Sequence, residues 1–208
     1  MAGNALRCVG KYLYESGRAP RTDLTIQTGA GLRRMTLYVR DDVVFSASVD
    51  MGKPEFTPEK VPVNLPGDEV VDREVTLAGR LVRITCLSMG NPHAVLFCPD
   101  VDREEVATWG PRAERDPLFP KRVNVSFVTP VDRRTFKMRV WERGIGETSA
   151  CGTGACAAAV AAVRLGLAEP DTDLTMRLRG GDLVVRYDGE RVIMLGDAEK
   201  DFEGTIEV

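Results

Sequence analysis

The chain has 208 residues, 43% hydrophobic and 28% charged, which is enough for one large or two small domains with a proper core. A formal net charge of −3 gives no electrostatic footprint for nucleic acid or an anionic membrane surface, and no apolar run approaches the length of a spanning helix. With the first residues lacking the charged and apolar regions of a signal peptide, no nucleic-acid or membrane partner is expected and the chain reads as cytoplasmic.

In chain order, residues 1–17 read as a helix with Leu6, Val9 and Leu13 on one face and Gly17 as its stop. After Pro20, the segments 24–28, 35–39 and 43–49 alternate like strands, the last two joined at Asp41-Asp42. The stretch 53–68 carries four prolines and reads as a linker or irregular crossover. Strands are then expected at 74–77, 81–87, 94–98, 123–128 and 136–141, with a short helix over 103–108. A glycine-rich turn through Gly144 and Gly146 leads to Cys151, followed by an apolar, alanine-rich helix that stops at Gly166. Strands near 174–178, 183–187 and 192–195 complete the pattern.

Five cysteines, Cys8, Cys86, Cys98, Cys151 and Cys156, are too few and too odd in number for a disulfide framework and should be reduced thiols. His93 is the only histidine, and Cys86, His93 and Cys98 lack zinc-ligand spacing, so no metal is expected. Cys151 stands apart, because a helix N-terminus favours anions: its unpaired N–H groups should stabilise a thiolate and could dock a carboxylate on Gly152 and Thr153. The competing reading makes Cys151 a small buried residue and the glycines a turn.

The two helices belong to an internal repeat. Gly3 and Gly17 are spaced as Gly152 and Gly166 are, Thr22-Asp23-Leu24-Thr25 answers Thr172-Asp173-Leu174-Thr175, and Met51-Gly52 answers Leu195-Gly196. In that alignment Ala2 faces Cys151. Roughly 80 residues precede Cys151 after the linker and a single residue precedes Ala2, so the first repeat is expected to lack on the order of 70 residues.

Five ordered motifs, Gly3-Asn4-Ala5-Leu6-Arg7-Cys8, Ser88-Met89-Gly90-Asn91-Pro92-His93, Arg122-Val123-Asn124-Val125, Trp141-Glu142-Arg143-Gly144 and Ala150-Cys151-Gly152-Thr153-Gly154, resemble diaminopimelate epimerase along essentially the whole chain. The resemblance implies an α+β fold of two pseudo-symmetric halves, each a β-barrel-like sheet around a central helix, with the first half incomplete. The expected division is 1–66 as the remnant of the first repeat with its linker, 67–197 as a complete second domain, and 198–208 as a segment returning to the first. The implied activity is cofactor-free epimerisation of LL-diaminopimelate to the meso isomer, on the route to lysine and peptidoglycan, by two cysteines on opposite faces of the α-carbon. With no electron sink, the developing charge must be held by preorganised N–H donors in a dry site.

Carried over residue by residue, Cys151 matches one catalytic cysteine and Ala2 stands where the other belongs. Gly3, Asn4, Gly152 and Thr153 match the groups that hold the reacting carboxylate. Asn91, Asn124 and Arg143 match those reading the distal amino-acid end, and Glu142 and His93 match groups that assist the cysteines or order the site. By residue type alone, Asn91 and Asn124 read as turn or strand-end asparagines, His93 as a satisfied core histidine and Arg143 as a solvated charge. The implied partner is a small amino-acid substrate, with a homodimer in the full-length protein; Phe202 replaces a tyrosine that some members carry near the dimer contact. Ala2 leads to the expectation that this chain is inactive as an epimerase. Other readings are a proline racemase or phenazine-pathway-type isomerase of the same fold, a noncatalytic fragment or binding module, and a single-cysteine hydrolase, the last weakened by the absence of an orienting third group.

Overall fold

The computed structural model describes residues 3–29 and 31–205. The first part of the chain forms α1 (Gly3–Glu15), β1 (Asp23–Thr28), β2 (Gly31–Arg40) and β3 (Val43–Gly52). After the proline-rich stretch come β4 (Val70–Leu77), β5 (Arg80–Ser88), β6 (Pro92–Phe97), α2 (Val106–Glu114), β7 (Asn124–Pro130), β8 (Thr135–Glu142) and β9 (Gly146–Thr148). The chain then enters α3 (Gly152–Arg164) and finishes with β10 (Leu174–Leu178), β11 (Gly181–Tyr187) and β12 (Val192–Asp197). This is the α+β class expected.

The repeat is visible as geometry. Helices α1 and α3 are each 13 residues long, and each is followed by a left-handed glycine, Gly17 at φ 70° and Gly166 at φ 69°. After α3 the Leu167 and Gly166 amides donate to Ala162 O and Val163 O at 2.9 and 3.0 Å, the pairing that closes a helix C-terminus and that a side chain at Gly166 would strain. Each helix then runs into an antiparallel meander, β1-β2-β3 after α1 and β10-β11-β12 after α3. The β2–β3 turn has Asp41 and Asp42 both at positive φ, which matches the right-handed twist of a tight hairpin.

The two meanders meet edge to edge: β3 pairs with β12 antiparallel, with Val49 opposite Met194 and Ala47 opposite Gly196. The sheet is therefore continuous, in the order β1-β2-β3-β12-β11-β10-β8-β7-β6-β5-β4, with β9 beside β8. One core gathers α1 and α3 with the two meanders and the inner faces of β7 and β8; a second lies between β4–β7 and α2. Every residue of α3 from Gly152 to Ala162 is buried, as its all-round apolar composition predicts.

Two expectations need correction. The helix expected over 103–108 lies at Val106–Glu114 and passes through Pro111. Proline forfeits a single N–H there, whereas Trp109 and Ala113 are buried in the second core, so packing outweighs the breaker signal. In α1, Leu6 is buried but Val9 is 42% exposed, and the buried stripe is Gly3, Leu6, Arg7, Gly10 and Lys11. The two cations bury because their heads find carbonyls: Arg7 Nε donates to Asp197 O at 3.2 Å and Lys11 Nζ to Val44 O at 2.6 Å. Among the described residues, no helix is long and apolar enough to cross a membrane.

Candidate active site

Cys151 is the N-cap of α3. Its backbone is extended, at φ −134° and ψ 106°, and its sulfur accepts a hydrogen bond from Gly154 N at 3.3 Å. A cap accepting from the third helical residue is the usual role of serine or aspartate; here a thiol fills it. Gly154 leaves the room, since a Cβ there would lie 3.2 Å from Cys151 Sγ and 3.4 Å from Ser126 Oγ. Thr153 Oγ1 lies 3.6 Å from the same sulfur.

The N-terminus of α1 arrives at this point from the other half. A Cβ on Gly152 would stand 2.9 Å from Asn4 Oδ1 and 3.1 Å from Met194 Sδ, and one on Gly3 would stand 2.6 Å from Met194 Cε. Gly3 and Gly152 thus close around one methionine of β12, and their lack of side chains lets the two helix starts approach. Arg7 Nη1 donates to Asn4 Oδ1 at 3.0 Å. Ala2, the residue paired with Cys151 by the repeat, lies outside the described residues.

Burial pushes the Cys151 thiol up to about 11, and the Glu142 carboxylate beside it adds to the rise, against the opposing donors Thr153 and Gly154. The expectation of a depressed thiol is therefore corrected: desolvation and a neighbouring carboxylate outweigh the helix terminus, and Cys151 rests protonated. Cys86 and Cys156 are also pushed up, by burial. Glu142 is held by Thr148, whose hydroxyl donates to Oε1 at 2.6 Å. Thr148 lies on β9, three residues too short to be legible as a strand, so its role carried no signal in the sequence.

The remaining expected residues divide. His93 is fully buried, and burial followed by the Arg143 charge pushes it down to about 3, so it is a neutral imidazole. Its Nε2 lies 3.2 Å from Asn91 Oδ1, and Asn91 Nδ2 donates to Thr153 Oγ1 at 3.2 Å, which ties β6 to the start of α3. Asn124 spends its side chain on the backbone, donating to Pro92 O at 2.7 Å and accepting from Arg143 N at 2.9 Å. It staples the ends of β6, β7 and β8. Arg143 is exposed and donates to Lys121 O at 3.1 Å, on the turn leaving β8. Buried Glu114, which sequence reasoning missed, holds that turn by accepting from Gly144 N at 2.9 Å and Trp141 Nε1 at 2.7 Å. Among the described residues, no three His, Cys, Asp or Glu side chains gather as a metal site.

Residues 85–200 match the model of a family described as diaminopimelate epimerase. The chain is 45% identical to a diaminopimelate epimerase of Acetivibrio thermocellus over 210 aligned positions, covering 100% of this chain and 74% of that protein. It is 40% identical to one of Methanococcus maripaludis, covering 100% of this chain and 75% of that protein. Among solved structures, a hydroxyproline epimerase from Agrobacterium vitis superposes with a TM-score of 0.65 at 18% identity, over 91% of this chain and 61% of that one. A predicted epimerase from Pseudomonas aeruginosa gives 0.57 at 19% identity, over 95% and 73%. The last two likenesses concern the fold.

Proposed function

Because the chain belongs to the diaminopimelate epimerase family, we propose that Cys151 is one of two thiols that invert LL-diaminopimelate to its meso isomer without a cofactor, and that Ala2 removes the other. The observation that carries the reading is Cys151 as N-cap of α3, beside Glu142, with Asn4 of the second helix start lying against Gly152.

The chemistry follows from those positions. The substrate carboxylate docks at the start of α3, on the backbone N–H groups of Gly152 and Thr153, with Asn4 of α1 beside them. Cys151 and Thr153 are 5% and 4% exposed, and donors in surroundings of that kind are worth more than in water and need no reorganisation as charge develops. Inversion needs a thiolate on one face of the α-carbon to take the proton and a thiol on the other to return one. Cys151, protonated at rest, is suited to the returning role. To act as base it must first pass its proton to Glu142, leaving a thiolate held by Gly154 N–H and the Thr153 hydroxyl.

With alanine where the family resemblance puts the second cysteine, position 2 supplies neither a base nor an acid. The α-proton taken by Cys151 can then only return to the face it left, so the chain exchanges that proton without inverting the centre. The test is conversion of LL-diaminopimelate to the meso isomer by the chain as it stands and by Ala2→Cys. Inversion gained with the cysteine supports the reading; equal inversion by both proteins refutes it.

A further inference from the structure

Behind Cys151 three polar side chains stand in line. His93 Nε2 is 3.2 Å from Asn91 Oδ1, Asn91 Nδ2 is 3.2 Å from Thr153 Oγ1, and Thr153 Oγ1 is 3.6 Å from Cys151 Sγ. The direction in which protons are shared along this line follows from its far end, because His93 is fully buried and its Nδ1 has no hydrogen-bond partner among the described residues.

A neutral imidazole carries one ring proton. On Nδ1 that proton would be a buried N–H without an acceptor, the costlier kind of orphan; a bare lone pair there costs less. The proton therefore sits on Nε2 and donates to Asn91 Oδ1. This orients the amide with Nδ2 toward Thr153, whose oxygen accepts. The single hydroxyl proton of Thr153 is then free to point at the Cys151 sulfur. In the opposite tautomer every step reverses: Asn91 turns its oxygen to Thr153, the hydroxyl donates to Asn91, and the sulfur loses a donor.

We propose that His93, Asn91 and Thr153 form a positioning relay that aims the Thr153 hydroxyl proton at Cys151, so that a donor is already in place when the thiolate forms. Thr153 alone of the three meets the reacting sulfur; His93 and Asn91 act through it. The relay gives Asn91 a duty apart from reading a substrate, and gives a buried neutral histidine an effect on a sulfur it does not contact. The neutrality of His93 is supported by its burial beside Arg143. The proposal rests on Cys151 being the reacting group, but its readout is the ionisation of that thiol and requires no turnover. Failure of the epimerase reading and failure of the relay are therefore distinguishable.

The titratable groups facing Cys151 are Glu142 from β8 and Cys156 within α3, and neither belongs to the relay. The test is the rate at which iodoacetamide modifies Cys151 at pH 8 in the full chain, followed by peptide mapping, since the rate tracks the thiolate fraction. Thr153→Val should slow it about 3- to 10-fold, the loss of one donor raising the thiol by about half to one pH unit, and Thr153→Ser should restore it. His93→Leu frees the Asn91 amide and should slow the reaction similarly, and His93→Gln, which keeps a donor, should recover part of the rate. The decisive result is the double variant: His93→Leu with Thr153→Val should be no slower than Thr153→Val alone, because both break one line. Multiplying effects in the double variant, or an unchanged rate in Thr153→Val, would overturn the proposal. If His93→Leu does not fold, the Val and Ser pair at Thr153 decides alone.

Discussion

Asn4 Oδ1 lies 2.9 Å from the point that a Cβ on Gly152 would occupy, so the start of one pseudo-repeat helix rests directly on the start of the other. Gly152→Ala makes this contact measurable through its sign. At the first turn of a helix, alanine is intrinsically better than glycine by about 1 kcal/mol. Here its methyl meets Asn4 and Met194 Sδ, and overpacking of that kind costs about 1–3 kcal/mol. Chemical denaturation should show net destabilisation; a more stable Gly152→Ala protein would mean that the helix starts do not touch.

The interior of α3 gives a second stability prediction. Ala158 is 0% exposed with buried neighbours on all sides. Ala158→Leu should lower stability by about 1–3 kcal/mol or more, since the wrapped helix has no direction in which to shift. An unchanged melting temperature would contradict a helix enclosed by its sheet.

Cys151 should be slow to alkylate at neutral pH, behind exposed Cys8, and Glu142→Gln should speed its reaction by removing the charge that raises the thiol. A folded value of about 11 against an ordinary 9.0 also has a consequence for stability. The folded state holds this proton more tightly, so the contribution is complete below pH 9 and is lost as pH rises through about 11. Denaturation midpoints of the wild type and Cys151→Ala should diverge over that interval, the wild type losing more; parallel curves would contradict a raised thiol.

His93 has the opposite sign. Its folded value of about 3 lies below the ordinary 6.5, so unfolding takes up a proton between the two, and the stability present above pH 6.5 falls as pH drops. His93→Gln should flatten the acid side of the stability profile relative to the wild type. An identical slope between pH 6 and pH 4, about two units over which a buried neutral imidazole must matter, would contradict its burial as a neutral group.

Local signals made much of this fold legible. The run from Ala155 to Leu165 with Gly166, and its echo from Gly3 to Gly17, revealed both central helices and the repeat that relates them, because capping and periodicity are written within a few residues. Elements decided by distant packing were not legible. The helix expected over 103–108 is legible, but Pro111 hid its continuation to Glu114, which depends on Trp109 and Ala113 burying against a sheet formed elsewhere. Val9 shares an apolar face with Leu6 and Leu13 in the sequence pattern yet is exposed, whereas Arg7 and Lys11 go in by reaching carbonyls on β12 and β3. The β3–β12 seam joins residues about 145 positions apart and leaves no local trace.

At the site, the residue types were legible and their partners were not. Cys151 and Glu142 could be singled out, but their mutual proximity, which reverses the expected acidity of the thiol, is a property of how β8 ends beside α3. Asn124 illustrates the same limit: its side chain binds Pro92 O and Arg143 N, contacts that only the strand register creates.

The most direct test of the account is to incubate the purified chain with LL-diaminopimelate in deuterated water and follow the α-carbon by NMR and chiral chromatography, with Cys151→Ala as control. The account predicts slow deuterium incorporation with retention of configuration, dependent on Cys151, and no meso isomer above the control. Formation of the meso isomer by the chain with Ala2 in place would contradict it.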